Sequence, residues 1–183
     1  MTFYNFVARL TYKAGRLHSK LLCWNPKVRI GKGTIIEPGV TLTTQYGGSI
    51  TIGKDCYISR NAALLTHGGD IVIGNNCTIN CMSTIYGQGG VKIGNSVRIA
   101  SHCSVIPANH KFEDKNELIY KQGLSKKGIV IEDDVWLGSG VKVLDGVTIH
   151  KGCVIGANAV VTHSTEPYGV YVGIPIHLIK KRE

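Results

Sequence analysis

A histidine and a glycine-flanked serine stand on either side of the least regular stretch of this 183-residue chain. His110 precedes the segment 111–128, and the run Trp136-Leu-Gly-Ser-Gly follows it. An unperturbed histidine has a pKa of about 6.5, so its ring is mostly neutral near pH 7 and can take a proton from an attacking hydroxyl. The glycines beside Ser139 let the backbone approach a ligand closely, because they carry no Cβ. These residue types suit a general base and a backbone N–H that stabilises an oxyanion.

Each of these residues also has an ordinary structural interpretation. An isolated histidine in a polar loop is usually a surface residue, and Trp136 could be a corner aromatic in a contact between subunits. The cations near the end of the chain could attract phosphate groups or could simply be solvated: Lys180, Lys181 and Arg182. Which interpretation applies depends on the scaffold that holds these residues.

Most of the chain follows a period of six residues. Six triplets of aliphatic residues, each internally spaced by six, occupy Ile30, Ile36, Leu42; Ile52, Ile58, Leu64; Ile73, Ile79, Ile85; Ile93, Ile99, Val105; Ile131, Leu137, Val143; and Ile149, Ile155, Val161. Neither the helical period of 3.6 nor the strand period of 2 fits this pattern. A fixed short repeat predicts a parallel β-helix in which each repeat is one strand and one turn, and three repeats make a coil.

Extra residues occur between triplets and never within one. They are the runs QYGG, HGGD and QGG and the long segment 111–128. If three repeats make one coil, every insertion leaves from the same edge of the prism. Because long loops on rigid scaffolds often carry function, this edge is predicted to hold the chemistry.

The first 26 residues are predicted to form a short helical cap. Apolar residues recur at helical spacing from Phe3 to Leu22, and basic residues occupy the other side: Arg9, Lys13, Arg16 and Lys20. An alternative is a basic amphipathic helix that rests on a membrane surface, which we do not favour. The predicted domains are therefore the cap at 1–26, a β-helix at 27–175 with its inserted loop at 111–128, and a basic tail at 176–183.

Composition favours one cytoplasmic domain. The six cysteines form no paired framework or metal knuckle, and four of them share one small-residue position of the repeat, so reduced buried thiols are expected. The start has no signal-peptide pattern, and no stretch reaches the length of a membrane span. The formal charge of +9 favours anionic ligands, but the scattered cations and few aromatics argue against nucleic acid.

The repeat resembles that of the hexapeptide acyltransferases, which are left-handed parallel β-helices. The pattern [LIV]-[GAED]-x-x-[STAV]-x covers roughly residues 28–175. The runs DDVWLGSGVKVLDGVTIHKGCVIGANAVVT and VGIPIHLIKK are similar to the sugar O-acetyltransferases of galactoside and maltose acetyltransferase type, and to those of bacterial polysaccharide clusters. The resemblance implies a left-handed coil, a homotrimer with active sites between subunits, and acetyl-CoA bound between neighbouring prisms with no metal required.

The same resemblance assigns site residues. It implies catalytic roles for His110 and Ser139, acceptor contacts at Asn80, Tyr86, Asn109 and Trp136, and acetyl-CoA contacts at Trp136, Gly138, Ser139, Ala157, Thr162, His177 and Lys180. The chain departs from the family pattern where Asn109 replaces a common glycine and His177 a common arginine. An N-terminal acidic sugar contact has no clear equivalent, so the identity of the acceptor stays open.

The expected reaction is transfer of an acetyl group from acetyl-CoA to a hydroxyl of a sugar or surface-polysaccharide precursor, by direct attack with His110 as the base. The alternatives within acetyl transfer are N-acetylation of an amino sugar and a xenobiotic acetyltransferase of the chloramphenicol type. A zinc enzyme of the γ-carbonic anhydrase type would need three converging histidines, and His67, His102 and His110 lack the close pair of that class. A non-catalytic scaffold is disfavoured because His110, Asn80, Trp136 and Ser139 occur together.

Overall fold

Three parallel sheets wind around a common axis to form the body of the protein. The computed structural model describes residues 13–15, 17 and 24–183. In that part the strands, numbered along the chain, are β1 Val28–Ile30, β2 Ile35–Ile36, β3 Thr41–Thr43, β4 Ile50–Ile52, β5 Tyr57–Ile58, β6 Ala63–Leu65, β7 Ile71–Ile73, β8 Thr78–Ile79, β9 Thr84–Tyr86, β10 Val91–Ile93, β11 Arg98–Ile99, β12 Ser104–Val105, β13 Asn109–His110, β14 Leu124–Ser125, β15 Ile129–Ile131, β16 Trp136–Leu137, β17 Lys142–Val143, β18 Thr148–Ile149, β19 Val154–Ile155, β20 Val160–Val161, β21 Gly169–Val172 and β22 His177–Lys181. A 3-10 turn, Ile119–Lys121, lies between β13 and β14.

Each coil contributes one strand to each sheet. Sheet 1 has the order β1-β4-β7-β10-β15-β18, sheet 2 has β2-β5-β8-β11-β16-β19-β21-β22, and sheet 3 has β3-β6-β9-β12-β17-β20. The first members of the six triplets pair in register along sheet 1, from Ile30 to Ile149. The second and third members do the same in sheets 2 and 3. The predicted all-β, left-handed parallel β-helix is confirmed.

The aliphatic side chains of the triplets fill the interior of the prism. All are buried except Ile30 and Leu42 of the first coil, which are partly covered and still pack against the core. Each fully buried isoleucine or leucine stabilises the fold by roughly 1.5–3 kcal/mol relative to an exposed one. The stack of such side chains is the main source of stability, because the strands themselves have only two to four residues in most cases.

Turns between sheets place one residue of each repeat in the left-handed region of φ. This residue lies three positions after the buried aliphatic, as at Asp55, Asn61, Asn76, Ser96, His102, Asp134, Gly140 and Asn158. Glycine, asparagine and aspartate tolerate this conformation best. In the first four coils the turns from sheet 1 to sheet 2 also have a glycine that allows close stacking, since a Cβ on Gly31 would lie 2.4 Å from the carbonyl carbon of Gly53.

The buried cysteines stabilise the stacking of coils. The Sγ atoms of Cys56, Cys77 and Cys103 donate to carbonyl oxygens of the next coil over 3.1–3.2 Å, and Cys153 Sγ donates to Glu166 O over 3.0 Å. All four are free thiols, as is the half-buried Cys81, while Cys23 lies outside the described residues. Burial raises the pKa of the Cys103 thiol, so it is poorly reactive. Their position in the repeat is the predicted one.

The two ends of the prism differ. Most of the predicted N-terminal helix lies outside the described residues; its described positions, 13–15 and 17, are helical. Gly15 is buried against β2, the edge strand of sheet 2, where a Cβ would meet Ile35 Cγ2 at 2.7 Å. The cap at 1–26 stays a prediction. At the other end β21 and β22 form an antiparallel pair that extends sheet 2, so the segment predicted as a basic tail is mostly strand.

A buried carboxylate stabilises the base of the prism. Glu37 accepts hydrogen bonds from the Tyr57 hydroxyl at 2.6 Å and from the Arg60 backbone N–H at 2.8 Å. Burial by itself would raise the pKa of Glu37, but these hydrogen bonds outweigh it and hold the pKa below its ordinary value. Glu37 is therefore ionised at neutral pH.

In residues 13–15, 17 and 24–183, no helix is long and apolar enough to cross a membrane.

Candidate active site

His110 lies on a short hairpin stem at the edge where sheet 3 leads to sheet 1, called here the 3–1 edge. Strand β13 pairs with β14 in antiparallel register, with His110 opposite Leu124. The Lys111 N–H extends the stem by donating to Gly123 O at 3.0 Å. His110 and the residues that follow it up to Lys121 are exposed. The segment predicted as a loop from 111 is thus a hairpin, and it begins one residue before the histidine.

Asp145 ties this stem to the coil above. Its Oδ1 accepts the N–H groups of Lys127 at 2.8 Å and Gly128 at 3.0 Å, and its Oδ2 accepts the Ser125 hydroxyl at 3.0 Å. Ser125 is in turn the partner of Asn109 in the stem. A carboxylate with three hydrogen bonds therefore fixes the strand that pairs with the histidine.

Ser139 and Trp136 lie at the turn from sheet 2 into sheet 3, called here the 2–3 corner. Trp136 points outward from β16 and is 54% exposed. The Ser139 hydroxyl donates to Ser101 O at 2.9 Å and lies 3.1 Å from Ser101 Oγ. Within residues 24–183, no hydrogen bond uses the Ser139 backbone N–H. The corner thus presents an exposed serine with a free backbone donor and a hydroxyl that is already engaged.

Three further predicted residues share the 2–3 corner. Asn80, two coils below Ser139, is half-buried and donates from Nδ2 to Ile99 O at 3.0 Å. Ala157 lies directly above, because Asn158 N–H donates to Ser139 O at 2.8 Å. Gly138 is required there, since a Cβ would lie 2.7 Å from Ala157 N. These residues form two adjacent columns parallel to the axis of the prism, Asn80 with Gly138 and Ser139 with Ala157.

The predicted site residues divide into two groups within one chain. Tyr86, Asn109, His110 and Thr162 lie at the 3–1 edge, where they leave sheet 3. Asn80, Trp136, Gly138, Ser139 and Ala157 lie on sheet 2 or at the 2–3 corner, where the chain enters sheet 3. The strands of sheet 3 stand between the groups, so a single chain does not bring His110 and Ser139 together.

The basic residues at the chain end are only partly available. Lys181 Nζ pairs with Glu166 at 2.8 Å, and Arg182 pairs with Asp134 at 3.0 Å and donates to Gly152 O at 2.7 Å. His177 and Lys180 are exposed on β22, and neither makes an ion pair with a described residue. Lys181 and Arg182 are thus held by carboxylates, while the two residues that the resemblance names as acetyl-CoA contacts, His177 and Lys180, are free for a ligand.

The three histidines of the zinc alternative do not converge. His67 and His110 lie at the 3–1 edge, but His102 lies at the 2–3 corner. In the described part of the chain, no three His, Cys, Asp or Glu side chains form a group that could hold a metal ion. The described residues therefore offer no set of ligands for the zinc alternative.

The sequence interpretation gave no role to Asp145 or Tyr46, and it considered His67 only for the zinc alternative. Asp145 bonds to residues 17–20 positions away, and no local motif marks it. Tyr46 and His67 precede glycine pairs in the runs QYGG and HGGD. The sequence did contain a signal for Tyr46 and His67, because both runs leave the edge that was predicted to hold function.

Known transferases resemble this chain in sequence. Residues 128–163 match the bacterial transferase hexapeptide (six repeats) family. Galactoside O-acetyltransferase of Escherichia coli is 31% identical over 152 residues, which are 83% of this chain and 63% of that protein. The chain spans less than two thirds of the length of the curated relatives it matches.

Solved structures share the fold. A variant of AntD, an N-acyltransferase from Bacillus cereus bound to dTDP-4-amino-4,6-dideoxyglucose and coenzyme A, aligns with a TM-score of 0.75 at 23% identity over 85% of this chain and 83% of that one. The hexapeptide-repeat acetyltransferase VCA0836 of Vibrio cholerae, complexed with acetyl-coenzyme A, aligns with a TM-score of 0.53 at 25% identity, over 85% and 70% of the chains. Together with the repeat and its coils, these findings show that residues 128–163 carry the bacterial transferase hexapeptide repeat and that the chain shares the fold of these transferases.

Proposed function

We propose that this protein is an acetyl-CoA-dependent O-acetyltransferase that acts on a hydroxyl of a sugar or surface-polysaccharide precursor. The observation that carries the proposal is an exposed histidine, held on an anchored stem, on the same scaffold as an exposed backbone N–H at Ser139. The likeness to galactoside O-acetyltransferase supports a hydroxyl acceptor. The buried free thiols suit the cytoplasm, where we place the enzyme.

The residues would divide the work between proton transfer and charge stabilisation. His110 takes the proton of the acceptor hydroxyl while the oxygen attacks, and later returns that proton to the leaving group. The Ser139 N–H faces the carbonyl oxygen as negative charge develops on it. Acetyl-CoA supplies the activated acetyl thioester. Trp136 shields the reacting atoms from water on the outer face of sheet 2.

Acetyl-CoA would lie along the 2–3 corner and sheet 2. Ser139 and Ala157 form a column toward the end of the prism at which β22 closes sheet 2. There His177 and Lys180 are exposed and are free to contact phosphates, while Lys181 and Arg182 are held by carboxylates. The long, flexible coenzyme matches this extended path better than a closed pocket.

The active site would be assembled from two copies of the chain. His110 and Ser139 lie on opposite sides of sheet 3, so a neighbouring prism has to bring its 2–3 corner to the 3–1 edge of the first. A closed ring of three such contacts makes a homotrimer with three equivalent sites. Direct assays with candidate acceptors identify the sugar and the hydroxyl that receives the acetyl group.

A panel of acceptors tests the reaction itself. We expect thiol release from acetyl-CoA in the presence of a sugar, a nucleotide sugar or a polysaccharide fragment, with an ester product that hydroxylamine cleaves. An amine acceptor that gives an amide product, resistant to hydroxylamine, would contradict O-acetylation and favour the amino-sugar alternative.

A proline at position 139 tests the backbone N–H. In the lowest coil the same turn is Glu37-Pro38-Gly39, with Gly39 at φ 90°, and Gly140 has φ 77°, so the turn accepts a proline. Ser139→Pro removes the N–H and should lower kcat by roughly 10²–10³-fold. Ser139→Ala keeps the N–H and should lower kcat by less than about tenfold, within the range of one lost hydrogen bond. Equal effects of the two variants would contradict the role of the N–H.

Asp145 should act as a positioning residue for His110. Asp145→Ala frees the stem and should lower kcat by roughly 10–100-fold, while the KM for acetyl-CoA hardly changes. Amide exchange at Lys111 should accelerate, because its bond to Gly123 lies in the same stem. Asp114→Ala, at the far end of the hairpin, is the control and should leave kcat within about twofold.

A further measurement separates positioning from general stability. If Asp145 acts through His110, then Asp145→Ala should cost little more once His110→Ala is present. An equal loss of kcat in both backgrounds would show that the carboxylate acts by another route.

Mixing two inactive variants tests the composite site. His110→Ala alone should lower kcat by roughly 10²–10⁴-fold, and Ser139→Pro disables the other half. In trimers refolded from an equal mixture, about a quarter of the sites combine an intact histidine with an intact corner, so about a quarter of wild-type activity should return. Activity that stays at the level of the separate variants would contradict a site between subunits.

A further inference from the structure

Three rings form a ladder along the 3–1 edge, one from each of the first three coils. Tyr46 stacks on His67 with centroids 6.1 Å apart and planes at 18°, and His67 lies 5.9 Å from Tyr86 at 41°. Tyr46 is 75% exposed, and the other two are half-buried. At these separations the rings are offset, so each leaves part of its surface open to solvent.

Glycines in the short insertions allow the ladder to form. A Cβ on Gly48 would lie 2.1 Å from Gly69 O, and a Cβ on Gly69 would lie 2.0 Å from Gly87 O. The three turns can therefore stack only because these positions lack a side chain. This close stacking brings the rings that flank the glycines into line.

The ladder leads to the stem that holds His110. Tyr86 ends β9, which pairs with β12, and β12 leads directly to His110 in the coil above. The turn after Tyr86 packs against the start of the stem, where a Cβ on Gly89 would lie 2.2 Å from Pro107 O. The rings and the proposed base thus occupy one continuous edge.

The groups around the ladder are neutral and polar. Gln45 and Gln88 lie in the first and third turns, and the rest of these turns is mainly glycine. Gln88 follows Tyr86 by two residues, and its buried Oε1 has no hydrogen-bond partner in the described residues. Asp70 is engaged by the Ser49 N–H and hydroxyl, both at 2.8 Å. A strand of nucleic acid would need cations along this edge, and the turns that carry the rings, 44–49, 66–70 and 86–90, contain no Lys or Arg.

We propose that this ladder binds a glycan chain, so that the acceptor is an oligosaccharide or polysaccharide rather than a single sugar. Pyranose rings have apolar faces that stack on aromatic rings and hydroxyls that bond to neutral amides, and both features are present along the edge. One sugar unit lies at His110 while the following units lie over Tyr86, His67 and Tyr46. The inference rests on the proposed acetyl transfer, because it extends the acceptor side of that site.

Binding of short and long glycans to the full-length protein tests the ladder. The probes are glucose, galactose and N-acetylglucosamine, each as the monosaccharide and as its β-linked tetrasaccharide, with Kd measured by calorimetry. In at least one series the tetrasaccharide should bind about tenfold more tightly than the monosaccharide. Tyr46→Asn removes the outermost ring, keeps a residue that tolerates the φ of 66°, and should reduce this ratio severalfold.

A matched control is available at another corner. Tyr168 also has a left-handed backbone, with φ 59°, and is 44% exposed, but it lies beside Gly152 and away from the ladder. Tyr168→Asn should leave the ratio unchanged. The inference is overturned if no series shows tighter binding of the tetrasaccharide, or if Tyr46→Asn and Tyr168→Asn change the ratio equally.

Acetyl transfer measured on the same samples separates the two proposals. Transfer by the wild-type enzyme without any preference for length would overturn the ladder and leave the proposed reaction standing. Binding that depends on length and on Tyr46, without transfer to any acceptor, would support the ladder and contradict the reaction.

Discussion

The rest of the structure depends on one constraint, the hydrogen bonding of each coil to the coil below it through the strands of the three parallel sheets. Coils must repeat at the interstrand spacing of about 4.8 Å, and each buried aliphatic must lie over the one beneath it. Even the insertion at 111–128 leaves Ile93 and Ile131 directly paired. A residue's neighbours are therefore set by its place in the repeat, and columns such as Ser101, Ser139 and Ala157 follow from the stacking.

The same constraint explains the division of the site. The strands of sheet 3 are short and hold no proposed catalytic residue, but they keep the 3–1 edge and the 2–3 corner at a fixed separation. One edge carries the histidine on its anchored stem, and the other carries the serine with its unused N–H. Because the scaffold cannot bend to close this gap, only a second prism can complete the proposed site. Because the scaffold is rigid, the proposed site depends on the assembly of more than one chain.

Much of the fold could be predicted from sequence, because a period of six specifies sheet, register and core in one step. All eighteen aliphatic positions fall where the period puts them. The contacts of Asp145 could not be predicted, since they join residues whose proximity depends on how the hairpin folds back. The resemblance implied active sites between subunits but did not say which subunit supplies His110 and which supplies Ser139. Within one chain the strands of sheet 3 separate the two residues. The left-handed turn residues were not predicted, although asparagine, aspartate and glycine recur there three positions after the aliphatic residue.

Insertions at a single edge have a consequence for how such a protein can diversify. The 2–3 corner carries no added residue in any of the six coils, and at Gly138 the coils pack so closely that a Cβ would lie 2.7 Å from Ala157 N. The 3–1 edge accepts four residues or a whole hairpin without disturbing the coils above and below. In the proposed enzyme, the donor side would then be inherited nearly unchanged while the acceptor side is free to vary. New specificities can arise by lengthening one turn, with no cost to the core.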